Sequence, residues 1–146
     1  MSNIGHEFLD HTADIQVHAW APTLEELFKE IGLVLMGVMV EGPKVAIERE
    51  IEVKVEAEDL QALLFDWLTE FLYYMDTEHF VVGDISIKEL KRSGESAWKI
   101  DSVLMGENFK SGHHVSGTEV KAITYSYMQI EKREDNLYHL MIILDI

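Results

Sequence analysis

The amino-acid sequence predicts an α+β fold: a single compact domain, residues 1–146, with two main helices packed on a mainly antiparallel sheet of about six strands. Two apolar stripes recur at the i, i+3, i+4 spacing of core-facing helices. Other segments have strand patterns: some alternate apolar and polar residues, and others are apolar over the length of a strand. The last four of these segments are consecutive, with no helix between them. Runs of consecutive strands favour an α+β arrangement over a doubly wound parallel sheet. The length of 146 residues suits one domain.

The first helix is predicted to begin after Thr23. Glu26 follows three residues later, so the two side chains can form a capping box with the backbone. The apolar stripe runs from Leu24 to Val38, and Gly42-Pro43 should lie near the end of the helix.

The second helix carries the longer apolar stripe, over residues 60–75. Either Glu58 or Asp59 is placed to cap its start. Trp67 and Phe71 fall on the stripe, which predicts that they belong to the core.

Strands are predicted before, between and after the helices. Residues 45–57 show the pattern most plainly, because apolar side chains alternate with glutamates and a lysine, as in a half-exposed strand. The segment 106–117 contains three glycines and two histidines and is predicted to be a loop, ordered or mobile. The six predicted strands are 15–20, 45–57, 80–90, 97–105, 120–131 and 137–145.

The charge is strongly acidic, with 27 Asp and Glu against 12 Lys and Arg and a net charge of −15. Extended binding to nucleic acid or to an anionic membrane is therefore disfavoured, and a cation or a basic protein surface is the natural partner. The absence of cysteine excludes disulfides, thiolate metal sites and cysteine nucleophiles. No signal peptide or long apolar stretch is visible, so we expect a soluble intracellular protein, cytoplasmic or nuclear or both.

The two ends of the chain hold the residues best suited to chemistry, since no phosphate-binding loop, dinucleotide fingerprint or hydrolase motif is present. The last seven residues are apolar apart from Asp145 and predict a buried strand ending in a free carboxylate at Ile146. If Asp14 lies nearby, three anions meet, and a divalent cation relieves their repulsion. Oxygen ligands favour Ca²⁺, Mg²⁺ or Mn²⁺. The alternative is an exposed strand end with screened carboxylates.

Three further residues are candidates for accessory roles or partner contacts. His11 could bind a metal or form a hydrogen bond with Asp14, or it could be structural. His114, beside His113 in the predicted loop, could be functional or simply solvated. Lys121 could neutralise the acidic site or contact a phosphate or carboxylate of a partner, or it could be an ordinary exposed or snorkelling side chain.

Several short motifs occur in order along the chain. They are His11-Thr12-Ala13-Asp14, Leu24-Glu25-Glu26, Asp59-Leu60-Gln61-Ala62-Leu63-Leu64, Gly106-Glu107, Gly117-Thr118-Glu119-Val120-Lys121-Ala122-Ile123-Thr124-Tyr125 and Leu144-Asp145-Ile146. Together these motifs resemble the archease family over essentially the whole chain. Ser126 stands where many archaeal and bacterial members have histidine, which makes this chain more similar to the eukaryotic members.

The resemblance implies a noncatalytic, metal-binding protein cofactor of an RtcB-type RNA ligase in tRNA splicing. Such cofactors promote guanylylation of the ligase and its multiple turnover, while the ligase performs the GTP-dependent chemistry. The family's metal site maps to Asp14, Asp145 and the carboxylate of Ile146. The lysine of the family's Lys-Ala-x-Thr motif maps to Lys121. A metal-dependent phosphoester hydrolase and a general acidic chaperone or adaptor are the alternatives.

Overall fold

Both predicted helices are present, and they begin directly after Thr23, the predicted cap, and Asp59, one of the two candidate caps. The computed structural model describes residues 3–9, 14–41 and 45–146. Helix α1 spans Leu24–Met39, and the Thr23 side chain accepts a hydrogen bond from the N–H of Glu26. Helix α2 spans Leu60–Glu78, and the carboxylate of Asp59 accepts a hydrogen bond from the N–H of Ala62. Within the described part of the chain, no helix is long and apolar enough to cross a membrane.

The strands form three antiparallel sheets. A four-stranded sheet has the order β1-β2-β9-β8, a three-stranded sheet has the order β4-β6-β5, and β3 pairs with β7. The strands are β1 (Gly5–Leu9), β2 (Asp14–Ala21), β3 (Val40–Glu41), β4 (Arg49–Ala57), β5 (Phe80–Arg92), β6 (Trp98–Asn108), β7 (Val115–Ser116), β8 (Ala122–Lys132) and β9 (Tyr138–Asp145).

The predicted α+β class is confirmed, and each of the six predicted strands is present. The prediction missed β1, β3 and β7, which are too short or too exposed to show a buried face in the sequence. It also began β4 too early, because residues 45–48 precede the strand. Helix α1 ends at Met39, and the predicted end signal Gly42-Pro43 lies outside the described residues.

A buried hydrogen-bond chain joins α2 to the three-stranded sheet. Trp67 is fully buried, as its place on the apolar stripe predicts. Its indole N–H donates to Oγ of Ser102 at 2.9 Å, and that hydroxyl donates to the carbonyl oxygen of Val53 at 2.9 Å. The polar groups of this chain are thus paired, which avoids the cost of burying an unsatisfied indole or hydroxyl donor.

Strand β9 lies in the interior of the four-stranded sheet and brings distant parts of the chain together. It pairs with β2 on one side and with β8 on the other. Leu140, Ile142 and Leu144 are fully buried, which explains the apolar sequence of this strand. The polar end of β9 therefore lies between the start of β2 and the start of β8.

Strand β8 contains a bulge. Thr124 pairs with Ile143 and Gln129 pairs with Met141, so the four residues 125–128 lie opposite the single residue Ile142. Tyr127, within this bulge, has a positive φ of 58°. Within the bulge the side chain of Met128 is buried, whereas those of residues 125–127 are exposed.

Candidate functional site

Asp14 and Asp145 are direct partners across the β2–β9 ladder. Residues directly opposite each other on antiparallel strands point to the same face, with Cβ atoms about 4.5–5.5 Å apart. Asp14 is half-buried and Asp145 is exposed. The structure therefore brings together two of the three anions that the sequence places at the chain ends, and like charges directly opposite each other repel.

Lys121 is fixed beside this pair through its backbone. Its N–H donates to the carbonyl oxygen of Asp145 at 2.7 Å, and the next residue, Ala122, pairs with Asp145 in the β8–β9 ladder. The Lys121 side chain is exposed and borders a cavity of about 330 Å³. Apolar side chains including Leu72, Met75 and Phe109 also line this cavity.

Asp14 borders a second depression, of about 400 Å³, together with Glu41. Thr118 lines both depressions, so the surfaces next to Asp14 and Lys121 adjoin. The N–H of Thr118 donates to the carbonyl oxygen of Val38 at 2.9 Å, which holds the segment before β8 against the end of α1. Glu41 was missed in the sequence because no motif surrounds it and only this packing places it near Asp14.

The remaining predicted site residues are Ile146, His11 and His114, and the structure describes two of them. Ile146 follows Asp145 directly and is 37% exposed. His11 lies outside the described residues. His114 is 3% exposed, so the alternative of a solvated side chain is wrong, while an accessory role for this residue stays a prediction. It is buried because the turn at 110–114 folds its ring against Phe109 and Glu107.

Comparisons with known proteins give matches that cover nearly the whole chain. The sequence model of the archease protein family matches residues 6–146. The chain belongs to the archease family. It is similar to an archease-like protein of Drosophila melanogaster, at 39% identity over 97% of this chain and 90% of the relative. An archease of Pyrococcus furiosus is 38% identical over 96% of this chain and 97% of the relative.

A solved archease-like fold is also similar to this structure. The solution structure of protein 1598 of Methanobacterium thermoautotrophicum matches with a TM-score of 0.78 and 34% identity. The match covers 97% of this chain and 99% of the other. The two helices and antiparallel sheets described above are thus shared with an experimentally determined relative.

The Gly-Glu motif of this archease forms a buried ionic cluster. The Glu107 side chain is 1% exposed. Its carboxylate accepts a hydrogen bond from the N–H of Ala46 at 2.5 Å and lies 3.0 Å from Nζ of Lys110. These two interactions lower the pKa of Glu107 to about 2. The cluster fixes the segment before β4 to the end of β6 and to the turn that follows β6.

Glu107, His113 and His114 are the one set of three possible metal ligands found close together in the described ranges. The hydrogen bonds of His114 argue against a metal there. Its Nδ1 accepts a hydrogen bond from the N–H of Lys110 at 2.8 Å, so a neutral ring carries its proton on Nε2. Nε2 lies 3.4 Å from the Glu107 carboxylate. Metal-bound histidines have the opposite arrangement, in which the second nitrogen donates.

Replacing Glu107 with glutamine, Glu107→Gln, is expected to destabilise the fold near neutral pH and to matter less in acid. The folded-state pKa of Glu107 is lowered from 4.5 to about 2, so its stabilising effect is complete above 4.5 and is lost as the pH falls towards 2. Urea denaturation of wild type and variant across this pH range measures the difference. A difference that stays constant, or grows in acid, would contradict the assigned role of the carboxylate.

Proposed function

We propose that this archease is a noncatalytic, metal-binding activator of an RtcB-type RNA ligase in tRNA splicing. It promotes guanylylation of the ligase and its multiple turnover. The observation that carries the proposal is the direct pairing of Asp14 with Asp145, the two aspartates that the family resemblance assigns to a metal site. Membership of the archease family supports an RtcB-type RNA ligase as the partner.

The donor groups fit a hard divalent cation. Asp14 and Asp145 offer carboxylate oxygens from neighbouring strands, and the carboxylate of Ile146 is the proposed third ligand. Oxygen-only ligand sets select Ca²⁺, Mg²⁺ or Mn²⁺ over metals that prefer nitrogen or sulfur. When bound, such an ion supplies a positive charge that can interact with phosphate groups. Asp145 is held in position by its ladder pairing on both sides.

The acidic surface supports a protein partner that itself binds RNA. The net charge of −15 disfavours stable binding of this chain to a phosphate backbone. The same charge is complementary to the basic RNA-binding face of a ligase, and complementary fields accelerate and orient association. Lys121, exposed beside the acidic pair, is placed to contact a carboxylate or phosphate at that interface.

Ligation assays with a purified RtcB-type ligase test the proposal. We expect the wild-type chain to raise both ligase guanylylation and the number of ligations per enzyme molecule. Lys121→Ala should reduce this stimulation by about tenfold, since it removes a charged contact at a protein interface. Lys88→Ala is the matched control, because Lys88 is an exposed lysine on β5, away from the acidic pair in the fold.

Three outcomes would contradict the proposal or favour one of the alternative functions. Absence of stimulation by the wild-type chain, together with failure to bind the ligase, would overturn the proposed function. Hydrolysis of phosphoesters by the isolated chain, lost in Asp14→Ala, would favour an enzyme. Suppression of aggregation of unrelated proteins that persists in Asp14→Ala and Asp145→Ala would favour a general chaperone.

A further inference from the structure

The bulge in β8 exposes aromatic side chains. Tyr127 is 75% exposed and Tyr125 is 52% exposed. The Tyr125 ring lies on Phe65 of α2, with the ring centroids 4.3 Å apart and the planes inclined by 3°. We define residues 125–128 together with Phe65 as the aromatic bulge. It presents aromatic faces to solvent from a strand and a helix that are otherwise anchored in the core.

The backbone of the aromatic bulge is held in an unfavourable conformation. Tyr127 has a φ of 58°, in the left-handed region that glycine and asparagine adopt more easily than tyrosine. The N–H of Ser126 donates to Oγ of Thr124 at 3.0 Å, which supports the turn. Strained residues persist where the surrounding structure enforces them, and they occur often at binding sites. A strained, exposed tyrosine lowers the stability of the fold, so its presence at this position indicates a function.

Three carboxylates act on Tyr125 of the aromatic bulge. Partial burial and the negative charges of Asp66, Asp59 and Glu58 raise the pKa of Tyr125. All three acidic residues are exposed. Helix α2, which carries Asp66, contains further Asp and Glu residues but no Lys or Arg. The surface therefore combines exposed aromatic rings with negative charges that its own helix does not neutralise.

We propose that the aromatic bulge binds arginine side chains of a protein partner. The guanidinium group of arginine is planar, stacks on aromatic faces and pairs with carboxylates, so it matches both features of this surface. A nucleic acid is disfavoured because the surrounding carboxylates repel phosphates. Lysine fits less well, because its ammonium group is compact and more strongly hydrated.

This inference rests on the proposed function for the identity of the partner, which is then the ligase, and adds the surface that binds it. The aromatic bulge adjoins the segment that carries Lys121 and lies on β8, whose first residue pairs with Asp145. A partner bound at the bulge is thus held by the same strand that positions the proposed metal ligand. Aromatic residues and arginine are also the side chains that most often dominate binding at protein interfaces.

The first test compares ligase binding by wild type and by Tyr127→Asn. Asparagine tolerates a positive φ, so this variant removes the ring without straining the turn. We expect the dissociation constant for the ligase to rise by about tenfold. Tyr73→Gln is the control, because Tyr73 is 55% exposed on α2 but lies outside the bulge. Unchanged affinity in Tyr127→Asn, or an equal loss in both variants, would overturn the inference while leaving the proposed function intact.

The second test does not need the ligase. Arginine and lysine oligopeptides of equal length are titrated into the labelled chain, and amide shifts are followed by NMR. The arginine peptide should bind severalfold more tightly and shift the signals of 58–66 and 125–128, and Tyr127→Asn should remove this preference. Equal binding of both peptides would overturn the inference even if the wild-type chain activates the ligase. If the wild-type chain self-associates and Tyr127→Asn abolishes this self-association, the surface binds a second copy of the chain. That result would also overturn the inference.

Discussion

Exchanging Asp14 or Asp145 for asparagine, in Asp14→Asn and Asp145→Asn, is expected to lower the affinity for Ca²⁺ by about 100-fold or more. Each change replaces a charged oxygen ligand by a neutral one at a pair that the β2–β9 ladder holds together. Isothermal titration calorimetry of the wild type and the two single variants measures the loss. Circular dichroism of the same samples checks that the sheet is retained.

Two controls make this result specific to the paired aspartates. Glu56→Gln changes an exposed carboxylate on β4 and should leave the Ca²⁺ affinity unchanged. A short neutral peptide added after Ile146 displaces the terminal carboxylate and should weaken binding if that group is the third ligand. Normal Ca²⁺ affinity in the extended chain would remove Ile146 from the site, and normal affinity in both aspartate variants would remove the site altogether.

Gly106→Ala is expected to destabilise the fold by about 3 kcal/mol or more. A Cβ atom at Gly106 would lie 1.8 Å from the carbonyl oxygen of Val81, on the adjacent strand β5. This backbone atom cannot move away as a flexible side chain could. The substitution must therefore separate β5 from β6 and disturb Glu107, the next residue along the strand. Thermal and urea denaturation measure the loss.

Gly37→Ala is the matched control for that prediction. Gly37 is an exposed residue of α1, and among the residues that the structure describes an added Cβ would meet no neighbouring atom within 4 Å. Alanine favours the helix over glycine, so this variant should gain about 0.5–1 kcal/mol. If both substitutions have the same small effect, the close approach of β5 to Gly106 does not constrain the fold.

The features that could be predicted from the sequence are those encoded by neighbouring residues. Thr23 and Asp59 cap the two helices as predicted, because a capping side chain bonds to a backbone N–H only three residues away. The apolar stripe containing Trp67 is buried because helical spacing places it on one face. Strand β1 gave no such signal, since its central side chains are exposed.

The site was harder to predict because long-range pairing forms it. The sequence suggests that Asp14 and Asp145 could meet, but only the ladder between β2 and β9 makes them direct partners. Metal binding there stays a prediction. The burial of Glu107 and His114 was not predictable, since glycine, serine and lysine surround them in a segment typical of a loop. The positive φ of Tyr127 likewise depends on how β8 is fitted to β9.

The bulge in β8 also affects how this protein avoids aggregation. β8 is an edge of the four-stranded sheet, and an uninterrupted edge is a template onto which another strand can add. Residues 125–128 break the regular alternation of N–H and C=O groups halfway along that edge. A foreign strand can therefore pair only with the short segments on either side, so the interruption that displays two tyrosines also hinders strand addition at this edge of the sheet.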